Sequence, residues 1–171
     1  MMDAGEVRRR FEGVRSINVG GPPVDSQARL AIYGDDIDPD AVTAIVACSP
    51  TSALRKGERD PNRPKLPPAR IGQWFLEAPE QLPFVDKLAF LLSSTTEQCD
   101  KWLALAATHR IEIRAAIFLR SWTEGFDLSA ETLSAMARRR WSFGLSIYSA
   151  EGNEIVDAFL ARAACEDEPD R

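Results

Sequence analysis

The sequence predicts an α+β fold, a two-layer sandwich in which about five strands form a mainly antiparallel sheet with helices on one face. Three features of the chain predict it. Strict period-two alternation runs through 111–120, where Ile111, Ile113, Ala115, Ile117 and Leu119 share one side and Glu112, Arg114, Ala116, Phe118 and Arg120 the other. Between such stretches lie segments with helical spacing of apolar residues, at 39–48, 80–108 and after Gly125. Finally, a strand, a glycine corner and a capped helix occur twice in register, Gly34 matching Gly125, Asp38 matching Ser129 and Val42 matching Leu133. This internal repeat predicts two halves related by a pseudo-twofold axis.

Each matched position has the same physical task. Asp38 and Ser129 are N-cap residue types, whose side-chain oxygens accept a backbone N–H from the first helical turn. Ile37 with Val42, and Leu128 with Leu133, occupy the positions of a hydrophobic staple. Pro39 fits the first helical position, where a missing N–H costs nothing. Asp40 and Glu131 place a carboxylate at the positive end of the helix dipole. Gly34 and Gly125 are expected to take positive φ at the corner.

A chain of 171 residues suits one domain, and folding at this size buries roughly 70% of the unfolded surface. Composition divides it into an N-terminal segment and linker at 1–27, a domain at 28–150, and a C-terminal helix with an acidic tail at 151–171. The net charge of -5 argues against sequence-independent nucleic-acid binding, which needs basic side chains against phosphates. Cys48, Cys99 and Cys165 are odd in number and far apart, so they are read as reduced thiols of a cytoplasmic protein. Met1 to Arg15 is charged throughout, unlike a secretory signal, and no stretch reaches the ~20 apolar residues of a membrane span.

In chain order, Gly20-Gly21-Pro22-Pro23 separates the basic N-terminal run from the first strand at 28–33. The first helix, 39–48, ends before Pro50, and 51–56 is read as a short second strand. Between Gly57 and Arg70 four prolines interrupt an irregular stretch, read as a hairpin insertion. It belongs to a basic island of Arg55, Lys56, Arg59, Arg63, Lys65 and Arg70 against Glu58 and Asp60. Ile71–Glu77 follows as a strand with Trp74 and Leu76 on one face and Gln73, Phe75 and Glu77 on the other. Residues 80–108 read as two helices, the first with Val85, Leu88 and Leu92 inward, the second with Cys99, Trp102, Leu103 and Ala106. Trp141, Phe143, Leu145 and Ile147 alternate along the last strand, and Ile155, Val156, Phe159 and Leu160 mark the C-terminal helix.

The strand ending in Gly34-Asp35-Asp36-Ile37, then Pro39, Val42-Thr43, Pro50-Thr51, Arg55-Lys56-Gly57 and Trp74, resembles the bacterial family catalogued as domain of unknown function 4279. The resemblance spans about residues 28–150 and implies no particular activity.

No catalytic set emerges. Asp36-x-Asp38-x-Asp40 opens like a calcium loop, but Ala41 stands where the sharp turn needs Gly and Ala47 where a bidentate Glu is needed. His109 is the only histidine, which excludes a multi-histidine zinc site; it is read as a surface residue at a helix end. Gly144-Leu145-Ser146 begins like a nucleophile elbow but lacks the second glycine. No metal or cofactor is expected. The leading expectation is therefore a non-catalytic, protein-binding module acting through the polar sheet face, with Arg114, Phe118, Arg120, Trp122 and Tyr148 as candidate contacts. One form of it is an immunity-like protein that masks a basic toxin domain. The alternative is an enzyme or small-ligand sensor in which Arg55, Lys56 and Arg70 hold an anionic ligand near Asp35 and Asp36.

Overall fold

A computed structural model describes residues 21–120 and 124–149. The N-terminal basic run, Trp122, Cys165, and the C-terminal helix and tail all lie outside the described residues. The element order is β1 (Asp25–Gly34), α1 (Pro39–Val46), β2 (Ser52–Leu54), β3 (Gly72–Glu77), α2 (Phe84–Ser93), α3 (Cys99–Ala106), β4 (Arg110–Phe118), α4 (Ala130–Arg138) and β5 (Ser142–Tyr148). The strands form one sheet in the order β2-β3-β1-β4-β5. Strand β1 is central and antiparallel to both β3 and β4, β2 is antiparallel to β3, and β5 is parallel to β4.

The fold is thus the α+β sandwich that the alternation predicts, with one local difference. The last strand pairs parallel because α4 intervenes: a strand-helix-strand crossover returns the chain in its original direction, whereas a tight hairpin would reverse it. Alternation fixes which side chains face inward and says nothing of strand direction.

Period two decides the layers. Ala28, Leu30 and Ile32 of β1, Trp74 and Leu76 of β3, and Ile111, Ile113, Ala115 and Ile117 of β4 point to one face, where they are buried. Val42 and Val46 of α1, Phe84, Leu88 and Leu91 of α2, Trp102 and Leu105 of α3, and Met136 of α4 join the same core. The indole N–H groups of the two deepest tryptophans are both satisfied, Trp74 donating to Thr43 Oγ1 at 3.1 Å and Trp102 to the Thr96 carbonyl at 2.8 Å. Trp102 meets Trp141 edge to face, with centroids 4.9 Å apart. Two expected inward faces are rotated. Val85 and Leu103 are exposed, and Phe84, Leu91 and Leu105 take buried positions beside Leu88 and Trp102, so each buried stripe is turned by one residue at its edge.

The capping residues behave alike in the two strand-corner-helix units. Asp38 Oδ1 accepts from the Asp40 N–H at 3.3 Å, and Ser129 Oγ from the Thr132 N–H at 3.2 Å. The surroundings of the two units differ. Ile37 and Val42 are both buried, whereas Leu133 is half exposed. Neither corner glycine takes positive φ; among the described glycines only Gly57 does, at 86°. Gly34 is required by space instead: a Cβ there would stand 2.5 Å from His109 Cδ2, while one at Gly125 would meet nothing. Gly72, the strand partner of Gly34, is tighter still, since its Cβ would approach the Gly34 carbonyl oxygen to 2.7 Å and collide with Ile37.

Two charged residues are buried in this layer, Arg139 after α4 and Lys87. Lys87 of α2 is buried, and its ammonium donates to Ser26 Oγ, to the Glu80 carbonyl at 2.8 Å and to the Leu82 carbonyl at 2.5 Å. It thereby holds the 78–83 connection against β1. Burial pushes its pKa below the ordinary 10.5, an effect partly opposed by Glu80 and Asp25.

Two outcomes follow for stability. Gly34→Ala should destabilise by about 1–3 kcal/mol through overpacking and be largely rescued by His109→Ala, whereas Gly72→Ala should not, because a backbone oxygen stands in its way; chemical denaturation of the single and double variants checks this. For Lys87, the unfolded chain holds a proton that the folded chain releases between the depressed folded pKa and 10.5. The wild type should therefore gain stability relative to Lys87→Met as pH rises toward 10.5, measured by denaturation at stepped pH.

Candidate functional site: the open face of the sheet

Opposite the helices, the sheet presents the alternate set of side chains to solvent. Strand register places them in rows. Tyr33 lies between Gln73 and Arg110, Ala31 between Phe75 and Glu112, and Arg29 between Glu77 and Arg114; Gln27 and Asp25 continue β1 beside Ala116 and Phe118. On the far side, Arg114, Ala116 and Phe118 meet Gly144, Ser146 and Tyr148 of β5.

Two aromatic groups mark the ends of this face. At one end Tyr33 packs edge to face on Phe75 with centroids 5.5 Å apart, the Arg29 guanidinium lies 4.5 Å over the Phe75 ring, and that of Arg110 lies 4.7 Å over Tyr33. Phe75 and Ala31 are buried although, among the described residues, no helix covers them. At the other end Phe118 and Tyr148 stack with centroids 5.0 Å apart and planes 12° from parallel, and Tyr148 stays half exposed. Glu112 ties the arginines together, accepting from Arg114 Nε at 2.8 Å and standing 3.7 Å from Arg110 Nη2. Its carboxylate raises the Arg114 pKa above the usual guanidinium value, so that side chain is a permanent cation.

Between the aromatic ends the face sinks into a depression of about 650 Å³. Ala116 and Ser146 belong to its lining, with Gln27 beside them. Arg29, Arg114 and, from the connection between β2 and β3, Arg63 supply its guanidinium groups, while Glu77 and Glu80 are its acids. Arg114 runs beside Gly144 of β5, its Cδ at ordinary contact distance, 3.6 Å, from where a Cβ would stand.

The predicted contacts divide between two places. Arg114, Phe118 and Tyr148 come together on this face, and Arg120 stands at its margin, 3.9 Å from Asp25; Trp122 is outside the described residues. Of the basic island, Arg63 reaches the depression, whereas Arg55 and Lys56 lie elsewhere, at the corner after β1. Arg55 is 2.5 Å from Asp38 and 3.1 Å from Asp40, and Lys56 is 3.0 Å from Asp35. The cations and carboxylates expected to surround an anionic ligand thus neutralise one another. Asp36 and Arg70 make no ion pair among the described residues. The 57–70 stretch is closed as a hairpin by the Gly57 N–H to Ala69 carbonyl and Ala69 N–H to Glu58 carbonyl bonds, each 2.8 Å. His109 Nδ1 lies 2.8 Å from Thr108 Oγ1 and 3.3 Å from the Leu105 carbonyl, so the imidazole is held at the end of α3. Among the described residues no three His, Cys, Asp or Glu side chains gather as metal ligands.

Sequence reasoning missed Arg29, Tyr33, Arg63 and Arg110 as members of this surface. The available signal was Phe75, an aromatic residue on the polar side of its strand between Gln73 and Glu77.

Fold and face define a class: a small α+β sandwich whose sheet is covered by helices on one side and, among the described residues, dressed only by its own arginines and aromatics on the other. The chain belongs to the family described as a domain of unknown function, DUF4279, which matches residues 25–150. No curated protein and no solved structure matches it. No helix among the described residues is long and apolar enough to cross a membrane.

The ion pairs at the corner are exposed and hence screened by salt. Raising the salt concentration should lower the thermal midpoint of the wild type more than that of Arg55→Ala, which lacks the cation facing Asp38 and Asp40; melting curves in low and high salt test it.

Proposed function

We propose that this protein is a non-catalytic binding module that engages a protein partner through the open face of its sheet. The observation that carries the reading is the face itself. Tyr, Phe and Arg side chains are held there on a rigid scaffold, and aromatic and arginine side chains supply much of the binding energy at protein interfaces while losing little freedom when their rotamers are already fixed. Stacking holds Phe118 on Tyr148, and cation-π contact holds Arg29 on Phe75. The arginines fit an acidic partner surface; an immunity-like role against a basic toxin domain would instead draw on the net charge of -5 and on acidic residues away from this face. A small anionic ligand held by Arg55, Lys56 and Arg70 has less support, because Arg55 and Lys56 already face Asp38, Asp40 and Asp35.

The test is site-specific photocrosslinking in the native host. A crosslinker replacing Tyr148 should trap one protein partner, and one replacing Val85 on the helical side should not. Arg114→Ala in the Tyr148-labelled protein should reduce the yield severalfold. Equal trapping from both positions, or none from either, would overturn the reading.

A further inference from the structure

We propose that the depression in the open face is a binding site for a phosphate monoester, with Arg29, Arg114 and Arg63 as its ligands. The inference rests on the open face being a binding surface and names the chemistry it receives.

Charge placement is the first argument. Arg29 and Arg114 are direct partners across β1 and β4, an arrangement in which like charges destabilise the sheet. Glu112 accepts from Nε of Arg114, which leaves the outer nitrogens of that guanidinium for another acceptor. The Arg29 guanidinium lies 4.5 Å over the Phe75 ring and has no carboxylate within ion-pair distance among the described residues. Arg63 likewise forms no ion pair there and reaches the same depression from a different segment. Glu77 and Glu80 share the lining, and Glu112 takes up one nitrogen of Arg114. The guanidinium groups of Arg29 and Arg63 and the outer nitrogens of Arg114 are the donors left for an anion.

Shape is the second argument. Guanidinium groups offer paired N–H donors in a plane, which suits the oxygens of phosphate. Contact with Phe75 holds the guanidinium of Arg29 over the ring, and Glu112 holds that of Arg114 through Nε. A volume of about 650 Å³ accommodates a phosphate with the small group that carries it, and Gln27 and Ser146 add polar groups to the lining. An anion bound between the two opposed arginines would relieve their repulsion, so binding and sheet stability are linked.

The experiment uses the full chain and three probes: inorganic phosphate, glycerol phosphate, and a short peptide containing phosphoserine with its unphosphorylated counterpart. Amide resonances are followed by NMR at fixed ionic strength. Saturable shifts are expected at Gln27, Ala116 and Ser146, and not at the Asp35–Asp40 corner. Arg29→Gln and Arg114→Gln should each weaken binding by about tenfold or more, while Arg55→Gln leaves it unchanged. Tighter binding of the phosphopeptide would identify a modified protein as the source, and tighter binding of glycerol phosphate a small metabolite; either supports the site. No saturable shift, shifts centred on the corner, or equal affinity for chloride and phosphate would overturn it. Because the wild-type shift map needs no variant, a misfolded Arg29→Gln would not shield the proposal. No partner protein is present, so the outcome is independent of the crosslinking result.

Discussion

The constraint on which this structure depends is that all four described helices lie against one side of the sheet. Burial of Leu30, Ile32, Trp74, Ile111, Ile113 and Ile117 on that side supplies the hydrophobic stabilisation of the core. The opposite side must then protect the sheet with what the strands themselves carry. It does so with long side chains packed on one another: Tyr33 edge to face on Phe75, Arg29 over Phe75 and Arg110 over Tyr33. Aliphatic stems and aromatic planes exclude water while the charged groups remain wet. A surface built this way is both sheet cover and contact surface, which is why structure and candidate function meet in the same residues.

Positive charge gathers on this surface although the chain as a whole is acidic. Asp25, Glu77, Glu80 and Glu112 stand among its arginines, and further carboxylates lie at the corner before α1, where Asp35, Asp38 and Asp40 already hold Lys56 and Arg55. Net charge is therefore a poor guide to what this protein attracts; the field near a binding surface is set by the groups within about a Debye length of it.

Much of the fold was legible in the sequence because period two and helical spacing are local signals. Strands, helices and both side-chain caps occur where alternation and cap residues indicate, and the inward set of β4 runs from Ile111 to Ile117 as expected. What was not legible depends on distant partners. The parallel pairing of β5 follows from a crossover rather than from its own residues, and the requirement for glycine at position 34 comes from His109, on a different element. The candidate face was half legible for the same reason. Arg114, Phe118 and Tyr148 are visible in their own strands, but Arg29 and Arg63 join them only through register and the path of a long connection. The internal repeat reaches as far as the caps; the strands after the two helices pair differently, β2 with β3 and β5 with β4.

The residue Thr96 sits at a junction of the helical layer. Its N–H donates to the Val46 carbonyl at the end of α1, and its carbonyl accepts both the indole of Trp102 in α3 and, at 3.4 Å, the guanidinium of Arg139 after α4. Three helices that are distant from one another in sequence thus hydrogen-bond to one residue. A change in the backbone at Thr96 would weaken the anchorage of all three at once, although none of their own residues is altered.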